Sequence, residues 1–179
     1  GKKQRSKGVE ELLQAFWLAR HDPELANRRL ELVFLGVQPS KGPYAPLIRR
    51  YGLADGITEI PFVPHEQVHE QYRRSHALVL PSRITPLWQE QWGMVLMEAM
   101  GHGLPVVATL SGSIPEVAQG AAIYAQPNDH HSLYLCLKKI VLLPTLWRSL
   151  SEAGLCISSE RFRATDVAAK IAAVYDGLL

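Results

Sequence analysis

The sequence predicts an α/β domain: a parallel sheet with helices on both faces. Three observations carry that expectation. Short, continuous apolar runs alternate with stretches of helical periodicity along all 179 residues. The runs lack the polar alternation of a sheet wetted on one side, so burial on both faces is expected. Each run is followed by a stretch long enough for a right-handed crossover.

Residues 8–20 place Val9, Leu12, Leu13, Phe16 and Trp17 at helical spacing. Residues 30–36 read as a buried strand stopped by Gly36, and 43–51 as a short helix with Pro43 near its start. Residues 57–63 form a strand that Pro61 interrupts. A helix over 65–74, a strand over 76–82, a helix over 93–103 closed by glycines and strands over 105–109 and 121–125 follow. Three helices are expected over 129–142, 144–157 and 165–178, the first capped at Asn128-Asp129. In such sheets ligands bind beyond the carboxyl ends of the strands, here the loops 36–43, 63–65, 81–92 and 109–115.

Composition excludes several classes. The apolar share of 47% supports a packed core, and the formal charge of +2 argues against a dedicated nucleic-acid binder. Cys136 and Cys156 are too few for a disulfide framework or a four-cysteine zinc site, and both are expected as reduced core thiols. No apolar run approaches the roughly 20 residues of a membrane span. The polar, basic opening does not resemble a signal peptide, so a cytoplasmic domain is expected.

Two motifs compete for the chemistry. His65-Glu66-Gln67-Val68-His69 matches HExxH, in which two histidines one turn apart bind zinc. Pro64 places it in a first helical turn and no HxxGxxH extension follows, so a solvated helix start is the simpler reading and a zinc peptidase the minor alternative. The block 90–98 is more specific. Gly93 opens a helix whose Met94, Val95, Leu96, Met97, Ala99 and Met100 are apolar on every side, which predicts burial. Glu98 is then a buried carboxylate in need of donors, which ligand hydroxyls can supply; the plainer alternative is a Glu98 that faces a solvent slot or a buried lysine. Glu90 precedes the helix, and free N–H groups between the two carboxylates favour phosphate. Gly93 to Glu98 is a rise of roughly 7–8 Å, about the reach from a diphosphate to its ribose. Ser113-Ile114-Pro115-Glu116 reads as a capping box.

At these residues the chain resembles the C-terminal, donor-binding half of a retaining glycosyltransferase of the GT-B fold, family 4 (glycosyl transferases group 1). The family's E-x7-E block appears as Glu90-Gln-Trp-Gly93-Met-Val-Leu-Met-Glu98-Ala-Met-Gly-His-Gly103-Leu-Pro105-Val-Val-Ala-Thr109, and its G-G-[IL]-P-E-V as Ser111-Gly112-Ser113-Ile114-Pro115-Glu116-Val117. Phe62-Val63-Pro64, the run Tyr72 to Ser82, Gly1-Lys2 and Lys7-Gly8 echo its remaining motifs, so the likeness covers essentially the whole chain.

The resemblance implies a Rossmann-like half of a GT-B enzyme and a nucleoside-diphosphate sugar as donor substrate. Glu98 would hold the ribose hydroxyls and Glu90 those of the donor sugar. Backbone amides of Trp92, Gly93, Met94 and Val95 would bind the sugar and distal phosphate. Lys7, with Lys2 in place of the family's arginine, would neutralise the diphosphate. Val63 and Pro64 would flank the base, and Ser111 and Gly112 would face the donor. It implies retention of configuration with no metal and no further cofactor.

It also implies that an acceptor domain and a preceding strand lie outside this chain. That other half would bring the sugar, polysaccharide or lipid-linked acceptor and any contact with the inner face of a membrane, and the isolated domain would be inactive. A nucleotide-sugar module without catalysis is the alternative from the binding class. A sugar-nucleotide epimerase on the same fold fits the 90–98 spacing less well. Lys2 for arginine loses a bidentate phosphate fork. Gln91 and Trp92 replace the usual proline and phenylalanine, and Ser111 replaces a glycine.

Overall fold

The computed structural model describes residues 4–177, with side chains from Ser6 onward. The chain runs α1 (Val9–Arg20), β1 (Leu32–Leu35), α2 (Ala45–Arg50), β2 (Ile57–Ile60), α3 (His65–Arg74) and β3 (Leu78–Leu80). It continues through α4 (Met94–Gly101), β4 (Val106–Thr109), α5 (Ile114–Ala118), β5 (Ala122–Ala125), α6 (His130–Leu142), α7 (Pro144–Arg161) and α8 (Ala164–Asp176). Every expected element is present, most of them shorter than expected because flanking turn residues leave the ladder or helix. Pro61, which has no N–H to give, lies just beyond the end of β2.

All strand pairs are parallel. They fall into two groups: β1 beside β2, and β3-β4-β5 with β4 central. The expectation of one continuous sheet is corrected here, since no ladder joins the groups among the described residues. Two-sided burial holds in full only for β4, whose four residues are all buried. Val33 of β1 is 40% exposed.

Helices cover both faces. One core cluster joins Leu12, Leu13 and Phe16 of α1 to Leu133 and Ile140 of α6, Phe34 of β1 and Val107 of β4. It therefore spans both strand groups. The second joins Leu96 and Met100 of α4, Ile114 and Val117 of α5 and Val106 and Ala108 of β4. Helix α7 reaches both, through Leu150 in the first and Ala153 and Ile157 in the second. Cys136 is buried, as expected of a core thiol, but Cys156 lies on the exposed side of α7 and its thiol donates to Glu160 Oε1. The Asp129 carboxylate caps α6, accepting from the N–H of His131 and Ser132.

Candidate functional site

Of the sequence-predicted residues that are described, Val63 and Pro64 follow β2, Glu90 to Val95 follow β3, and Ser111 and Gly112 follow β4, all beyond the carboxyl ends of the strands. Chain crossings there need two glycines. Gly8 adopts φ 65°, and a Cβ on it would stand 1.8 Å from the carbonyl oxygen of Pro81. Gly112, at φ 54°, would place one 1.8 Å from the carbonyl oxygen of Glu90. Only a residue without a side chain permits either approach. The backbone then ties the segments together: Arg83 N–H donates to Ser6 O at 2.9 Å, and Ser113 N–H to Glu90 O at 3.0 Å.

Glu90 sits inside this knot, buried to 7% exposure. Its Oε2 accepts from Lys7 Nζ at 2.6 Å and from Ser82 Oγ at 2.7 Å. Its N–H donates to Ser111 Oγ at 3.3 Å, and that hydroxyl donates to Arg83 O. Lys7 also lies 5.1 Å over the Trp88 ring. Glu11 of α1 braces the same loop: Arg83 Nε reaches its Oε1 at 3.0 Å.

Helix α4 starts at Gly93, whose φ of 67° no ordinary residue adopts easily, and no side chain caps it. Its first N–H groups therefore face the loop region without a side-chain acceptor, the arrangement that attracts an anion. The expectation that this helix is buried all round is wrong for its first turn: Met94 is 64% and Val95 38% exposed, with Trp92 before them 50% exposed. The apolar stretch reflects burial only from Leu96 onward, where the helix meets α5 and α7.

Glu98 is half-buried, less enclosed than Glu90, which reverses the sequence expectation. Tyr72 of α3 donates to its Oε2 at 2.7 Å. Burial, and then this hydrogen bond, pushes the Tyr72 phenol well above the usual tyrosine range. At the end of β2, Val63 is half-buried and Pro64 exposed at the start of α3, beside a Phe62 that is 88% exposed. Lys2 lies outside the described residues.

Two expectations change in detail. Ser113 does not form a capping box; its hydroxyl donates to Gln91 O at 2.6 Å, which pins the loop before α4. Among the described residues no three His, Cys, Asp or Glu are placed to share a metal. His69 instead stacks on His102, with Nδ1 3.0 Å from His102 Nε2. Ser82, Trp88, Arg83 and Tyr72 were assigned no role by sequence. Ser82 and Tyr72 lie in the quoted 72–82 run, and Ser82, Arg83 and Trp88 in the 81–92 loop expected beside a ligand.

The sequence profile described as Glycosyl transferases group 1 matches residues 1–155. The chain belongs to this family. Mannosylfructose-phosphate synthase of Agrobacterium fabrum is 28% identical over 99% of the chain, which covers 39% of that protein. Sucrose-phosphate synthase of Thermosynechococcus elongatus superposes with a TM-score of 0.81 at 23% identity, over 98% of this chain and 43% of that one. HepE of Anabaena, solved with UDP, gives 0.80 at 20% identity, over 97% and 46%. The fold is a Rossmann-like half of the GT-B architecture. The chain spans about two fifths of the length of the curated relatives it matches.

Proposed function

We propose that this chain is the donor-binding half of a retaining glycosyltransferase that moves a sugar from a nucleoside-diphosphate sugar to an acceptor without a metal. The observation that carries the proposal is the series Glu90, uncapped α4 start, Glu98, at the carboxyl ends of the strands. Glu90 takes donor-sugar hydroxyls. The Trp92–Val95 amides and Lys7 take the diphosphate charge that a metal takes elsewhere. Glu98 takes the ribose, and Val63 and Pro64 flank the base. Ser111 and Gly112 hold Glu90 in place from behind. The related HepE has been solved with UDP and with UDP-glucose, which supports a nucleotide sugar as the ligand class here.

Lys7 binds Glu90 in the ligand-free site and must share or exchange that contact when a diphosphate arrives. The acceptor, and the groups that complete the reaction, belong to a second domain of the longer protein. A cytoplasmic location fits that arrangement, with any membrane contact made through the other half. Among the described residues no single helix is long and apolar enough to cross a membrane.

Isothermal titration of the chain with UDP, GDP and ADP, with and without EDTA, tests the proposal. At least one of them binds, with the same affinity in chelator. Binding that disappears with EDTA overturns the metal-independent reading.

A further inference from the structure

Helix α3 carries His65, His69 and Tyr72 along one side, and their rings form a continuous stack with His102 at the end of α4. His65 meets His69 edge-on at 5.0 Å, His69 stacks on His102 at 5.0 Å, and His102 meets Tyr72 at 5.1 Å. The partners fix the protons. His102 Nδ1 lies 2.7 Å from the carbonyl oxygen of Glu98, which can only accept, so this nitrogen carries hydrogen. The other ring nitrogen, Nε2, lies 3.0 Å from His69 Nδ1 and shares one hydrogen with it. His69, through His102, thus braces α3 against the end of α4, and His102 holds the Tyr72 ring from its side.

What they hold is the hydroxyl that donates to Glu98 Oε2. No donor reaches Glu98 Oε1 among the described residues. A glutamate carboxylate turns easily about its last torsion, which is broad and shallow. A donor on one oxygen selects one plane and removes that freedom before ligand arrives, so less ordering remains to be done on binding.

We propose that Tyr72 is a positioning residue for the nucleoside end of the site: it fixes Glu98 Oε2 so that Oε1 faces the ribose hydroxyls. The inference rests on the assignment of Glu98 to ribose. Tyr72 acts through the Glu98 carboxylate and not on the ligand, and its phenol donates at neutral pH as any tyrosine hydroxyl does.

The test uses UDP, GDP and ADP, each paired with its 2′,3′-dideoxy form, titrated into the chain, into Tyr72→Phe, into Glu98→Gln and into the double variant. Affinities are taken per folded molecule, below each variant's melting range. Tyr72→Phe keeps the ring stack and removes only the hydroxyl. The ribonucleotide that binds best should weaken about three- to tenfold in Tyr72→Phe, while its dideoxy form stays within about twofold. The double variant should bind no more weakly than Glu98→Gln alone, because the tyrosine acts only through the carboxylate.

Equal losses for both nucleotide forms in Tyr72→Phe, or no loss at all, overturn the positioning role. If in that case Glu98→Gln weakens the ribonucleotide and spares its dideoxy form, the ribose assignment stands. If Glu98→Gln weakens both forms alike, or no nucleotide binds, the assignment falls and the positioning role falls with it.

Discussion

The two ends of the Glu90–Glu98 block are built differently. Around Glu90 the chain crosses itself twice at glycines, and a lysine and a serine hydroxyl converge on one carboxylate oxygen. Around Glu98 a single tyrosine from a neighbouring helix does the holding, and the other oxygen is left open. The first region is fixed by backbone and the second by side chains. The motif spacing alone says that both carboxylates matter. The surroundings show Glu90 enclosed by crossings of the chain and Glu98 held by one donor at one oxygen. Each variant below attacks one side of that contrast.

The largest effect should come from Gly112→Ala. A methyl group would meet the Glu90 carbonyl oxygen at 1.8 Å, and the backbone there has φ 54°. No flexible side chain stands in the way to move aside; the obstacle is backbone on both sides. A loss of roughly 2–4 kcal/mol is expected from the displaced crossing and the left-handed conformation together. Urea denaturation gives the stability, and titration of the surviving folded fraction gives the binding. If Gly112→Ala keeps the wild-type midpoint, the region around Glu90 is not fixed by backbone and the contrast fails.

The next pair separates the carboxylates by ligand and by stability. Glu98→Gln should weaken both the free nucleotide and its sugar nucleotide by about ten- to hundredfold, since both carry ribose. Its melting temperature should barely change, because Tyr72 can donate to the amide oxygen as well. Glu90→Gln should spare the free nucleotide and weaken the sugar nucleotide. It should also cost stability, roughly 1–2 kcal/mol: its carboxylate is buried, but Lys7 is nearly half exposed and water screens the pair. Differential scanning fluorimetry with and without each ligand reads all four quantities. Equal losses for free nucleotide from both variants would remove the sugar role of Glu90.

Much of this was legible because the signals were local. Strand and helix positions along the chain, and the helix start at Gly93, follow from runs of apolar residues punctuated by glycine and proline. The separation of β1-β2 from β3-β4-β5 was not legible, since pairing is decided between distant segments. Nor was the exposure of Met94 and Val95: a run of apolar residues looks the same in a core and at a ligand-facing helix start. Helical spacing put His65 and His69 on one face of α3. It could not say that His102, from another element, completes their stack, which is why HExxH looked like a metal motif. The burial of Glu90 depends on Gly8 lying against Pro81 and Gly112 lying against the Glu90 backbone, and no window of sequence around Glu90 contains either distant glycine.

A third carboxylate sharpens the contrast with the smallest expected effect. Asp22 is held much as Glu90 is, by a lysine and a hydroxyl: Lys138 Nζ at 2.8 Å and Tyr134 Oη at 2.5 Å. Glu24 N–H adds a third donor, and the Glu24 carboxylate shares the lysine. These donors, Lys138 first, hold the Asp22 carboxyl at about 2, below its ordinary 3.8. Yet Asp22 lies between α1 and β1, beside α6, and has none of the surroundings of the donor site. The unfolded chain binds a proton near pH 4 that the folded chain refuses until near pH 2. The stabilisation is therefore complete above about pH 4 and is lost as the pH falls through about 2. Asp22→Asn should lower the melting temperature at about pH 6, and the gap to wild type should close as the pH is lowered over that interval. Nucleotide affinity should be unchanged at every pH where both proteins are folded. A change in affinity on replacing Asp22 would mean that a lysine–hydroxyl clamp on a carboxylate influences ligand binding wherever it sits. The placement of Glu90 at the strand ends would then no longer explain its role.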